Sequence, residues 1–385
     1  MPSYSPRSLG ILYNFIFTIC LILVIIILTG QQLKSYMHKN KKTAVIKVGS
    51  SVLAPEGELD VSILSNIAKQ SAQAKKNGWN ICIVSSGAIA AGIKQLGLKK
   101  YPKSINKLQA AASIGQILLM EKYIKAFSSY KIKISQVLLT WEDFHCRSRY
   151  INAKRTIQTL WQYGIIPIVN ENDTISTEEI KFGDNDRLSA LTAGLVGANK
   201  LILLSDVSGV YDDNAQVIKE LDFKNIYYGK TFLGKASYTK GGIRTKLESA
   251  KIAAFAGIEV FIASGRDRNT ISLAIAGNNP GTRFVANTKI PAKKLWIAFA
   301  RKIKGELTID KGAEQALVNR NSSLLSVGVK AVKGDFNAKD TVYIKNEENK
   351  IIAAGIVNFP VFILKENLGK KLPKEVIHRD DLVIF

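Results

Sequence analysis

Residues 43–92 read TAVIKVGSSVLAPEGELDVSILSNIAKQSAQAKKNGWNICIVSSGAIAAG, and the fold is decided there. Ala44–Val48 is a short β-rich run that stops at Gly49-Ser50-Ser51, as a buried strand does when it delivers a loop. Over residues 61–76, Val61, Leu64, Ile67 and Ala68 recur at helical spacing, and Asn77-Gly78 ends the pattern. Asn80–Val84 is a second apolar run, closed by Ser85-Ser86-Gly87-Ala88 and followed by a helical pattern over 89–96. Strand, helix and strand in this order predict a parallel pair.

The same alternation continues. Helical patterns over 105–127, 149–163, 184–196 and 242–256 are interleaved with strand patterns over 131–139, 165–169, 200–204 and 259–263. The whole predicts an α/β fold, a mostly parallel sheet with helices on both faces. In such sheets ligands sit outside the carboxyl ends of the strands. Polar clusters fall at four of those ends, after Val48, Val84, Val169 and Leu204, which predicts one site assembled from several loops. After Ile303 the texture changes to short β-rich pieces, over 306–309, 326–332, 341–344, 351–357 and 382–385, with no long helices between them. The expected division is a segment 1–42, an α/β domain 43–290 and a small mainly-β domain 303–385. A chain of 385 residues is too long for a single core, so two domains are the expectation on size alone.

The net charge of +23 invites a nucleic-acid reading, and its distribution argues against one. Residues 1–42 carry +5, residues 43–302 carry +16, and residues 303–385 carry only +2. The excess is scattered lysine without a basic-aromatic stripe, the pattern of a solvated surface. Three cysteines, Cys20, Cys82 and Cys146, make neither a disulfide framework nor a metal spacing and point to a reducing compartment. The run Leu9–Thr29 has Asn14 as its single strongly polar residue and is long enough to span a bilayer. Lys34, Lys39, Lys41 and Lys42 follow it, which places everything after residue 42 on the cytoplasmic side if the run is an anchor. Met37 offers the other reading, a chain that begins at that methionine and opens directly on the first strand.

Familiar phosphate motifs are incomplete. Gly229-Lys230-Thr231 looks like the end of a phosphate loop, but Lys224 stands where its first glycine belongs, and no G-x-G-x-x-G follows a strand. Five other segments are more telling. Ala44-Val-Ile-Lys47-Val-Gly49-Ser-Ser, Ser85-Ser86-Gly87-Ala88-Ile-Ala-Ala-Gly92, Asn170-Glu-Asn-Asp173, Gly183-Asp-Asn-Asp186 and Thr239-Lys-Gly-Gly-Ile-Arg-Thr-Lys246 occur in this order. Together they resemble the amino-acid kinase family, in particular its members that phosphorylate the side-chain carboxylate of L-glutamate at the start of proline synthesis. Gly305-Glu-Leu-Thr-Ile-Asp310, Ser322-Ser-Leu-Leu325 and His378-Arg-Asp-Asp381 resemble the PUA domain that follows the kinase in many bacterial members.

The resemblance implies a three-layer αβα sandwich, and ATP with Mg2+ as cofactors. It also implies a homo-oligomer and proline as a feedback inhibitor. It assigns catalysis to Lys47, Lys246 and Asp186, the aspartate aligning the two lysines. Nucleotide contacts fall to Lys47, Ser205, Asp206, Lys240, Gly241, Gly242, Ile243, Arg244, Thr245 and Lys246, and glutamate contacts to Ser86, Asp173 and Asn185. The chemistry agrees. A glutamate carboxylate, with a pKa of about 4.3, is already an ionised nucleophile at neutral pH, so scarce histidines are no obstacle. Phosphoryl transfer asks for positioning and positive charge, which lysines and a glycine-backed helix start supply. Plainer roles stand beside these: solvent exposure for a lysine, helix capping for Asp184 and Asp186, an Asx turn for Asp173. His145-Cys146 does not make a nucleophile pair, since neighbours on a helix do not face each other. The competing functions are a family member acting on aspartate, N-acetylglutamate or a nucleotide, and RNA binding by the C-terminal domain. The weak charge of that domain speaks against RNA.

Overall fold

The computed structural model describes residues 41–55, 57–98, 100–176, 185–222, 242–286, 292–301 and 303–385. The apolar run 9–29, the choice of starting methionine, Lys181, Asp184, residues 229–231, Lys240 and Gly241 lie outside the described residues. None of the described helices is long and apolar enough to cross a membrane.

The β-rich run at residue 43 forms β1 (Thr43–Val48), buried along its whole length, and leads through the short α1 (Ser50–Leu53) to α2 (Val61–Lys76). Asp60 starts α2 by accepting hydrogen bonds from the Ser62 and Ile63 backbone N–H groups, satisfying donors that have no partner inside the helix. Then come β2 (Asn80–Ser85), α3 (Ala88–Gln95), α4 (Ile105–Ser128) and β3 (Ile134–Leu139). The predicted strand from residue 131 starts three residues late because Lys131 takes a φ of 55°, a turn conformation outside the β region. The chain continues through α5 (Trp141–His145), α6 (Arg147–Gln162), β4 (Ile166–Glu171), α7 (Asp186–Val196), β5 (Lys200–Ser205) and β6 (Glu220–Leu221). It then forms α8 (Gly242–Phe255), β7 (Glu259–Ser264), α9 (Thr270–Ala276) and β8 (Thr282–Phe284).

These strands make one eight-stranded sheet in the order β3-β4-β2-β1-β5-β7-β8-β6. It is parallel except where β8 runs against β7. Two apolar clusters cover it. One contains Val45, Val84, Leu201 and Leu203 and the inner faces of α7 and α8; the other contains Ile46, Ile83 and Ile202 and the inner faces of α2 and α4. Alternate residues of the same strand go to opposite clusters, as the pleat requires, and both sides are dry, so the strands read as continuous apolar runs. The predicted α/β class and helix-covered parallel sheet are borne out.

A short α10 (Ala292–Leu295), continued by one wide turn over Trp296–Ala300, leads to the second sheet. That sheet holds β9 (Ile303–Ile309), β10 (Val329–Gly334), β11 (Thr341–Lys345), β12 (Ile351–Ile356) and β13 (Leu382–Ile384) in the order β10-β9-β11-β12-β13. Its core gathers Leu307, Ile309, Val342, Ile344 and Leu382. The helices between these strands are short: α11 (Lys311–Arg320), of 10 residues, follows β9, and α12 (Val361–Glu366), of 6 residues, follows β12. The helix α11 buries a single apolar side chain, Leu317, so its periodicity in the sequence is faint. Residues Thr43–Phe385 form one compact unit.

Candidate active site

Parallel register brings the loops together. Val48 lies opposite Ser85 on one side and Leu204 on the other, and Val84 lies opposite Val169, so the carboxyl ends of β1, β2, β4 and β5 finish at one level. The four polar clusters of the sequence therefore meet along one edge of the sheet, where an open α/β sheet holds its ligands.

Lys47 is the last but one residue of β1. Its Nζ is 2.6 Å from Oδ1 of Asp186, and their side chains are 1% and 0% exposed. Lys246, in the first turns of α8, places its Nζ 3.1 Å from the other oxygen of the same carboxylate, and the Thr245 hydroxyl donates to that oxygen at 3.1 Å. Two ammonium groups from distant parts of the chain thus converge on one buried carboxylate. Taking any of the three charges out of water is costly, and it is tolerable because opposite charges face each other. Asp186 opens α7, yet its side chain turns to the lysines; the capping role considered for it is not the one its geometry takes. Gly49 leaves room beside the cluster, because a Cβ there would lie 3.3 Å from Lys47 Nζ.

Beside the charged cluster is a cleft of about 650 Å³ lined by Ser50, Ser51, Ser86, Gly87, Asn170 and Asp173, among others. Lys94, Lys100 and Tyr101 also line it, though nothing in the sequence patterning singled them out. Ser86 is held by its backbone N–H, which donates to Val48 O at 3.0 Å. Gly87 has a φ of 101°, a left-handed conformation that a side chain would strain, and it turns the chain from β2 into α3. Behind this turn the Ser85 hydroxyl lies 2.9 Å from the Tyr123 hydroxyl. Burial pushes the Tyr123 phenol well above its ordinary pKa, so it stays protonated. Asp173 and Asn185 are both buried, at 6% and 1% exposure. Asn185 donates to Ser85 O at 2.6 Å and to Asn170 Oδ1 at 2.7 Å, which ties the start of α7 to the ends of β2 and β4.

The structure thus brings Lys47, Lys246, Asp186, Gly242 and Thr245 into one cluster and puts Ser86 and Asp173 on the adjoining cleft. Ser205 and Asp206 sit at the end of β5, with the Ser205 hydroxyl donating to Asp206 at 3.1 Å and Asp206 exposed. The Arg244 guanidinium points to Glu248, 3.2 Å away on the exposed side of α8, and away from the cluster. Among the described residues no group of three or more His, Cys, Asp or Glu side chains is placed to hold a metal ion. Cys146 is exposed between α5, which ends at His145, and α6, and the Ser148 hydroxyl beside it lowers its pKa. Residues that the sequence reading passed over are Gln116, Tyr123 and the side chain of Asn170, which touch the site through other side chains.

Comparison with known proteins gives a consistent result. Residues 42–264 match the amino acid kinase family and residues 305–374 match the PUA domain. The glutamate 5-kinase of Hydrogenovibrio crunogenus is 40% identical over 346 residues, which is 87% of this chain and 92% of that protein. The glutamate 5-kinase of Streptomyces avermitilis is 42% identical over 364 residues, covering 89% of this chain and 96% of its own. That of Thermus thermophilus is 39% identical over 359 residues, with coverage of 89% and 97%.

Proposed function

The chain belongs to the amino acid kinase family and carries a PUA domain, and from that premise we propose that it transfers the γ-phosphoryl group of ATP to the side-chain carboxylate of L-glutamate. It is then a glutamate 5-kinase like the relatives that match along almost their whole length, and it forms γ-glutamyl phosphate at the first step of proline synthesis. The observation that carries the reading is the convergence of Lys47 and Lys246 on Asp186 beside a polar cleft.

Each part of the reaction has a residue suited to it. Lys47 and Lys246 bind phosphate oxygens of ATP and stabilise the charge that spreads over the transferred group. Asp186 is the positioning residue that keeps the two ammonium groups at a fixed separation. The backbone at Gly49, Gly241 and Gly242 approaches the phosphates, with the start of α8 adding its dipole. Lys240, Ile243, Arg244 and Thr245 belong to the same nucleotide segment, and Ser205 and Asp206 take the adenosine end. Ser86 and the Gly87 N–H bind the α-carboxylate of glutamate, Asp173 the α-ammonium, and Asn185 bridges to the substrate. The γ-carboxylate attacks without a general base because it is ionised at neutral pH.

Mg2+ would enter with the nucleotide and offset the negative charge of its phosphates during transfer. A homo-oligomeric state, inhibition by proline and a cytoplasmic kinase domain belong to the same reading, and so does either attachment to a membrane through residues 9–29 or a chain that begins at Met37. The division into residues 1–42, 43–290 and 303–385 does too. A coupled assay with Mg-ATP and, in turn, L-glutamate, L-aspartate, N-acetyl-L-glutamate and UMP tests it. Activity confined to glutamate is the expected result, and preference for any other acceptor overturns the substrate assignment.

A further inference from the structure

Four side-chain amides run in line from the edge of the large sheet to the cleft. Gln136, exposed on edge strand β3, accepts through Oε1 from Nε2 of Gln116 on α4 at 2.9 Å. Gln116 Oε1 accepts from Asn170 Nδ2 at 2.8 Å, and Asn170 Oδ1 accepts from Asn185 Nδ2 at 2.7 Å. Asn185 directs its other Nδ2 hydrogen to Ser85 O at 2.6 Å.

The polarity of this line follows from backbone groups whose role is not interchangeable. The Ser85 carbonyl only accepts, so the Asn185 atom facing it is nitrogen. The Glu171 backbone N–H, 2.9 Å from Asn170 Oδ1, only donates, so that Asn170 atom is oxygen. Asn170 therefore turns its nitrogen to Gln116 and needs an acceptor there. With both Nδ2 hydrogens of Asn185 engaged, its Oδ1 is buried without a hydrogen-bond partner among the described residues. A buried acceptor in that state is open to a donor from a ligand or an ordered water. Gln116 is also held rigidly relative to the cleft. Its neighbour Gly115 packs so closely that a Cβ would lie 1.8 Å from Ala88 O, at the start of the helix that carries the Ser86-Gly87 turn.

We propose that Gln116 is a positioning residue for substrate recognition: by accepting from Asn170 it fixes the orientation of Asn185, so that Asn185 Oδ1 faces the α-ammonium of the acceptor. This rests on the glutamate reading above. Without an acceptor at position 116, the Asn170 amide has a buried donor unpaired, and the orientations of Asn170 and Asn185 are no longer imposed.

The test compares the wild type with Gln116→Leu and Gln116→Glu, each assayed with Mg-ATP and either L-glutamate or glutarate, which lacks the α-ammonium. For Gln116→Leu, kcat/KM for L-glutamate should fall by about tenfold, the scale of one positioned hydrogen bond, and the loss should lie in KM. The KM for ATP should stay within about twofold, and the preference for L-glutamate over glutarate should shrink by the same factor of about ten. Gln116→Glu keeps an acceptor toward Asn170 and should restore most of the loss. Equal losses with both acceptors, a parallel rise in the KM for ATP, or no change in Gln116→Leu would each overturn the inference while leaving the glutamate reading intact. A folded wild-type protein inert toward L-glutamate overturns that reading and this inference with it.

Discussion

At the scale of the residue, Asp186 has no exposure, and a carboxylate so placed is ionised only where cations face it. Lys47 and Lys246 supply them at 2.6 and 3.1 Å. Replacing either lysine by methionine keeps bulk but removes charge from the proposed phosphate site. Turnover in Lys47→Met and in Lys246→Met should fall by at least about 100-fold. Breaking one side of a buried pair also costs about 3–5 kcal/mol, so the loss must be separated from unfolding. Lys47→Met combined with Asp186→Asn should recover thermal stability without recovering activity. Steady-state kinetics on folded Lys47→Met within tenfold of wild type would remove Lys47 from the phosphate site.

At the scale of the element, α3 and α4 cross with almost no space between their backbones. A Cβ on Gly92 would lie 1.8 Å from the Ala111 carbonyl oxygen, so the two helices must part to admit it. Gly92→Ala should destabilise the protein by about 1–3 kcal/mol, the usual cost of overpacking, and should raise the KM for glutamate because α3 carries the Ser86-Gly87 turn. Denaturant titration and kinetics check both effects, and a variant of unchanged midpoint would show that the crossing relaxes freely. The start of α2 gives a pH-dependent case. The Ser62 hydroxyl, and then the Ile63 and Ser62 N–H groups, lower the pKa of Asp60. A lowered folded-state pKa means stability that is complete above the ordinary aspartate range and is lost as pH falls through the folded value. Asp60→Ala should therefore cost about 1 kcal/mol at neutral pH, with the difference from wild type shrinking in acid. A difference that grows in acid would contradict the cap.

At the scale of the whole molecule, the turn over Trp296–Ala300 joins the two sheets. Trp296 Nε1 donates to Phe144 O at 2.6 Å in the first domain, while Ile297 and Ala298 bury themselves with Ile356 and Val383 of the second. Lys293 pairs with Asp381 at 2.7 Å, and Arg301 donates to Lys339 O at 2.6 Å. Ile297 is completely buried, so Ile297→Ala should weaken this seam by about 2–5 kcal/mol. Calorimetry should then show the C-terminal domain melting separately from the first, with kcat within about twofold, since every residue assigned a role lies before Glu248. One unchanged transition would mean that the seam does not couple the domains.

The amino-acid sequence by itself determined the repeated strand-helix alternation, because a strand buried on both faces must be apolar throughout and a covering helix must show its 3.6-residue stripe. It also carried the glycine, serine and aspartate clusters that end the strands, since tight turns admit few residue types. It did not determine the order β3-β4-β2-β1-β5-β7, in which neighbours in space are distant in the chain. Short elements were faint as well. The helix α11 has one buried apolar residue, though Asp310, accepting from Ala313 N at 2.7 Å, marks its start. The lysine-aspartate-lysine cluster was legible as three motifs, but its distances came only with the register of the parallel strands. Gln116 had no legible signal at all. One amide on a helix has no periodicity, and its acceptor role exists only because folding sets it against Asn170, 54 residues away in the chain.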